Sequence, residues 1–107
     1  MRWNIQYIKE AQRDLKQLDP YNRTLVVKAI EKTAEHPLPL PDGVGKPLNN
    51  YTASHLHGYY KIKLRKLGYR VIYELIIRET VMKIIVISIR DDNEVYKEAE
   101  RRIRKNV

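Results

Sequence analysis

Three runs rich in apolar and β-branched residues, Leu56 to Leu64, Tyr69 to Ile77 and Val81 to Ile89, follow one another with only a few residues between them. Short turns around Lys66-Leu67-Gly68 and Arg78-Glu79-Thr80 make the runs consecutive antiparallel strands. Every other segment must then supply the layers that cover this sheet. Trp3, Ile5 and Tyr7 alternate with Asn4, Gln6 and Ile8, the pattern of a short strand with one apolar face. Ala11, Leu15 and Leu18 recur at helical spacing, with Lys9, Arg13, Asp14 and Lys16 on other faces, so residues 9–18 read as an amphipathic helix. Asp19-Pro20 ends it and starts a second, because Asp caps well and Pro is tolerated in the first turn. Leu25, Val26, Ala29, Ile30 and Thr33 form that helix's buried stripe, which stops by His36-Pro37. Together the two make a helical hairpin.

Pro37, Pro39, Pro41, Gly43, Gly45 and Pro47 rule out a regular helix over residues 37–54 and predict a long surface connection. Asn93 to Lys105 is helical by composition, with Asp91, Asp92 and Glu94 at its positive dipole end and Arg101, Arg102, Arg104 and Lys105 at its negative end. The predicted fold is therefore α+β, in the order β-α-α-β-β-β-α with a mainly antiparallel sheet. With 107 residues the chain is read as one small domain, 1–107.

The absence of Cys excludes disulfide scaffolds, Cys-based zinc sites and thiol nucleophiles, and a cytoplasmic location fits. No apolar run approaches the roughly 18 residues of a membrane span, and no signal peptide is apparent. Net charge is +8, unevenly distributed: residues 1–57 carry eight basic and six acidic side chains, and residues 58–107 thirteen and seven. A polyanion or acidic protein is the expected partner, and the second half is where it should bind.

Within that half, Tyr59-Tyr60-Lys61-Ile62-Lys63-Leu64-Arg65 divides its labour by the strand period of two. Tyr60, Ile62 and Leu64 turn toward helices, whereas Lys61, Lys63 and Arg65 share the other face at roughly 7 Å spacing, which suits an RNA backbone and equally a solvated sheet face. Arg70 opens the next strand just past the turn and lies near the same face. Arg90 stands where the last strand gives way to polar loop. Tyr96, in the first turns of the final helix, either stacks on a base or packs against the sheet with its hydroxyl at the rim. His36 fits a helix end. His55 and His57 are two apart, but no Cys or nearby carboxylate completes a metal site; His57, with Arg65 and Lys66, is read as an RNA contact. Gly43-Val44-Gly45-Lys46 lacks the strand and helix context of a phosphate loop. No metal or cofactor is expected.

Tyr60 to Arg65, Gly68-Tyr69-Arg70-Val71-Ile72-Tyr73, Val86-Ile87-Ser88 and Glu94-Val95-Tyr96, in that order, resemble the RelE toxins of the RelE/ParE toxin–antitoxin superfamily. The resemblance implies a ribosome-dependent endoribonuclease that cuts mRNA in the ribosomal A site, inhibits translation, and is held inactive by a RelB-like antitoxin in a hetero-oligomer. It implies functional cations at Lys61, Lys63, Arg70 and Arg90 and a functional tyrosine at Tyr96. The chain departs from the pattern at Asp92, where a basic residue is usual, and near Asn49. The implied chemistry is attack of a ribose 2′-OH on its phosphodiester. Mutual repulsion among the cations would let Lys63 or Lys61 accept the 2′ proton, with Tyr96 as the rival base. Arg70 and the other Lys would stabilise the phosphorane, and Arg90 would donate to the 5′ leaving oxygen. Two other classes stay open: a ParE-like toxin that binds a topoisomerase, and a basic RNA- or antitoxin-binding module without activity.

Overall fold

The computed structural model describes residues 2–48 and 58–105. Strand β1 (Asn4–Tyr7) leads through Ile8 into α1 (Lys9–Lys16), and α2 (Pro20–Thr33) follows at once. The Asp19 carboxylate caps α2 by accepting from the Asn22 backbone N–H at 3.4 Å, with Pro20 in the first turn as the sequence predicts. A two-residue strand β2 (Lys46–Pro47) precedes β3 (Tyr59–Leu64), β4 (Tyr69–Ile76) and β5 (Val81–Ser88), and α3 (Asp92–Lys105) ends the described chain. The sheet order is β1-β5-β4-β3-β2, antiparallel except where β1 runs parallel to β5. The α+β class and the predicted meander hold, and β2 is the added element. Among the described residues no helix is long and apolar enough to cross a membrane.

Each side of the sheet has its own core, as strand alternation requires. Ala11, Leu18, Val26 and Ile30 from the helical hairpin pack on Val71, Tyr73, Met82, Ile84 and Ile87, with Tyr60, Ile62 and Leu64 against them. On the opposite face Val95, Tyr96 and Ala99 of α3 pack on Ile72, Ile85 and Val86. A bulge makes this division possible: Ile72 pairs with Val86 and Tyr73 with Ile84, so Ile85 is the extra residue and both Ile85 and Val86 face α3.

The proline-rich stretch is more than a surface connection. Pro37 is fully buried, and its carbonyl accepts from the Tyr73 hydroxyl at 2.9 Å; Leu48 belongs to the core beneath α3. Gly45 makes this approach possible, since a Cβ there would lie 2.4 Å from the Pro37 oxygen and 2.9 Å from the Tyr73 hydroxyl oxygen. Periodicity does not reveal such anchoring, because it comes from single contacts rather than a repeating face. Gly68 closes the β3–β4 turn at φ 75°, in the left-handed region where a side chain strains.

Asp14, which the sequence spacing places off the apolar face of α1, turns its carboxylate toward β5. Beyond Ile84 the strand β1 no longer covers β5, and the exposed ladder groups need partners. The Ile87 N–H donates to the Asp14 carboxylate at 2.9 Å, and Arg102 donates to the Ile85 carbonyl at 2.9 Å. Arg102 is only 8% exposed and also binds both Asp14 oxygens, at 2.7 and 3.0 Å, and Glu98 at 2.7 Å. Hydrogen bonds from Arg101, with those from Arg102, outweigh partial burial and hold the Glu98 carboxyl at about 2, against an ordinary 4.5. Its folded pKa is depressed, so the stability it contributes is complete above pH 4.5 and is lost as pH falls toward 2. Melting temperature should drop across that window, and Glu98→Gln should flatten the drop; equal slopes would show that other carboxylates dominate.

Candidate active site

Register places the site. Lys63 pairs with Arg70 and Lys61 with Ile72 across β3 and β4, so the three cations stand on the face that α3 covers. The helix begins just past β5, and Asp91 fixes its start: the Asp91 carboxylate accepts from the Glu94 N–H at 3.0 Å and its carbonyl from Val95. That start drops Asp92 onto the cations. Its carboxylate lies 3.1 Å from Lys63 Nζ, 3.9 Å from Lys61 Nζ and 2.5 Å from Arg70 Nε. Partial burial pushes the Asp92 carboxyl up, but hydrogen bonds from Lys63 and Arg70 and the charges of Lys61 and Lys63 outweigh it, leaving it below the usual range.

Tyr96 lies one helical turn further on. Its hydroxyl accepts from Lys61 Nζ at 3.0 Å, and the ammonium stands 5.7 Å from the ring centroid. Of the two sequence readings the packed one holds: Tyr96 is 7% exposed within the core under α3, so its ring is not a stacking platform for a base. Truncating it would remove packing as well as a hydroxyl.

Arg90 joins the cluster through its backbone, where its carbonyl accepts from Arg70 at 2.7 Å. Its side chain is 66% exposed and meets Glu94 at 4.0 Å, an exposed pair that holds it weakly. Arg65 falls beyond the end of β3 and, with Lys66, is exposed in the following turn, so neither shares the Lys61–Lys63 cluster. His57 lies outside the described residues. Two participants were missed. Along the sequence Asp92 stands only as a helix-dipole residue and a departure from the family pattern. Lys46, exposed on β2 and paired in register with Lys61, extends the cationic edge; the proline-rich setting masks its two-residue strand. Among the described residues no group of His, Cys, Asp and Glu could hold a metal.

A bare cluster of cations favours an anion, and a hydroxyl and a carboxylate beside it allow proton and hydrogen-bond chemistry at that anion. A family model, the ParE toxin of type II toxin–antitoxin system parDE, matches residues 5–96. The chain belongs to this toxin family. The toxin is 48% identical over 44 residues to the mRNA interferase toxin RelE of Escherichia coli (strain K12), a match covering 41% of this chain and 46% of that one. Its fold superposes on a mutant of the E. coli toxin RelE in the free state with a TM-score of 0.71 and 26% identity, covering 96% and 99% of the two chains. A chain of the toxin–antitoxin complex RelBE2 from Mycobacterium tuberculosis matches at TM-score 0.67 and 26% identity, over 84% of the toxin and 100% of that chain.

Proposed function

We propose that this toxin is a metal-independent endoribonuclease that cuts mRNA in the ribosomal A site and is neutralised by a RelB-like antitoxin. The observation that carries the reading is the convergence of Lys61, Lys63 and Arg70 on one point beside Tyr96 and Asp92. Three cations within reach of one carboxylate are within reach of one phosphate. In the reaction the 2′ oxygen bonds to phosphorus as the P–O5′ bond breaks, leaving a 2′,3′-cyclic phosphate and a 5′-OH. Lys61, Lys63 and Arg70 hold the charge that builds on the phosphorane, and Arg90, exposed at the edge of the cluster, donates to the departing 5′ oxygen. In this reading the ribosome supplies the alignment of the substrate, an effect of several orders of magnitude. A net charge of +8 suits an acidic antitoxin segment in a toxin–antitoxin hetero-oligomer. The whole chain, 1–107, acts as one domain in this reading.

Purified toxin should cut message on translating ribosomes, read by primer extension, and hardly touch the same RNA free in solution. Equal rates with and without ribosomes would defeat the alignment argument, and 5′-phosphate products would point to a metal-activated water. The family match to ParE favours a second reading, a toxin that binds a topoisomerase. Inhibition of gyrase supercoiling without RNA cleavage would select it.

A further inference from the structure

Attack by a 2′-OH needs a group that accepts its proton. The cluster holds three cations, Lys61 and Lys63 from β3 and Arg70 from β4, the phenol of Tyr96 on α3, and Arg90 facing Glu94 at the rim. Cations are donors until they lose a proton, and the expectation that repulsion would help Lys61 or Lys63 do so assumed no anion among them. Asp92 is that anion. It offsets the repulsion, and among the described residues it is the one group in contact with all three cations that is a Brønsted base in its ordinary ionised state.

We propose that Asp92 is the general base of this toxin, accepting the 2′ proton while the cations it touches hold the phosphate. This assignment rests on the ribonuclease reading above and deepens it. The cations can serve both anions. Arg70 gives Nε to Asp92 and Nη1 to the Arg90 carbonyl, and its second amino group faces neither; Lys63 has three N–H bonds to share. A phosphate held on the remaining donors stands next to the carboxylate, with its own ribose 2′-OH one bond network away. The proton passes from the 2′ oxygen to the Asp92 carboxylate as the 2′-O–P bond forms; the P–O5′ bond breaks, the 5′ oxygen takes a proton from water, and protonated Asp92 returns its proton to the hydroxide so produced. The low proton affinity of Asp92 keeps it ready at any neutral pH.

Single-turnover cleavage on saturating ribosomes, from about pH 6 to about pH 8.5, separates this base from a lysine. A carboxylate fully ionised over that range gives a flat profile, whereas a lysine titrating near 10 gives a rate rising about tenfold per pH unit. Asp92→Asn should slow cleavage by about 100-fold without weakening ribosome binding, and should convert the flat profile to a rising one as hydroxide or lysine takes over. A purely structural role would not change that slope. Should the amide disturb the start of α3, Asp92→Glu decides: a slower, still flat profile supports the assignment, and a rising one overturns it. Asp92→Asn as fast as the parent, or faster, overturns it too, because the carboxylate would then only compete with phosphate for the cations. A parent toxin that leaves ribosome-bound message intact defeats the ribonuclease reading itself, and this assignment with it; an active parent with an indifferent Asp92 defeats the assignment alone.

Discussion

Arg102→Ala should destabilise the toxin by about 3–5 kcal/mol, the usual result of removing one partner from a buried ion pair. Burial alone would push the guanidinium down, but hydrogen bonds to Asp14 and Glu98 prevail, so the charge is retained inside. Without it, the partly buried Asp14 and Glu98 carboxylates lose the cation they share, and the Ile85 carbonyl loses its donor. Against a total stability of about 5–15 kcal/mol typical of such domains, the loss leaves a chain that is marginal at best. Asp14→Asn should cost less, since its amide oxygen can still accept from the Ile87 N–H. Urea unfolding of the three proteins would measure this; an Arg102→Ala loss below about 1 kcal/mol would place the pair in the class of exposed bridges that contribute little.

Arg90→Ala should lower the single-turnover cleavage rate by about 100-fold or more while leaving the fold and ribosome affinity nearly intact. The fold is spared because the side chain is exposed and its contact with Glu94 is 4.0 Å long. The rate suffers because a donor to the leaving oxygen matters only as charge develops there, and an interaction made only in the transition state appears in the chemical step. Its backbone carbonyl, which holds Arg70, survives the substitution. A loss confined to binding, with an unchanged rate at saturation, would make Arg90 a docking residue.

The strands, the helical hairpin and the final helix were legible because each repeats its pattern over several residues: Val71, Tyr73, Met82 and Ile84 alternate, and Val26, Ile30 and Thr33 recur one turn apart. Lys61, Lys63 and Arg70 could be placed on one face by the same counting, once the turn at Gly68 set the register. What escaped was pairwise and long-range. Nothing near Asp14 in sequence announces Arg102, 88 residues away, and nothing near Lys63 announces Asp92. A carboxylate near a helix start has an adequate local explanation in the dipole, which hid its second contact set. Tyr96 was undecidable for a related reason, since burial on the inner face of α3 depends on how closely the helix lies over Ile72 and Val86.

The extra residue in β5 also governs where the chain can change length. Side chains alternate strictly along a strand, so removing the bulged Ile85 would restore a regular ladder with β4 in which Ile84 and Ile87 keep the hairpin face and Val86 keeps the α3 face. A residue inserted between Ile87 and Ser88 has no such outlet: with the half joined to β1 in place, Ser88 would turn to the hairpin face, and the segment carrying Arg90 and Asp92 would emerge out of phase with Lys63 and Arg70. Insertions at the β3–β4 turn tip or at the exposed Ile77–Glu79 turn carry no such penalty, because they lie outside the paired registers. In this family member, a single residue inserted late in β5 would separate Asp92 from Lys63 and Arg70 by shifting the parity of a strand, whereas loss of Ile85 would leave that parity intact.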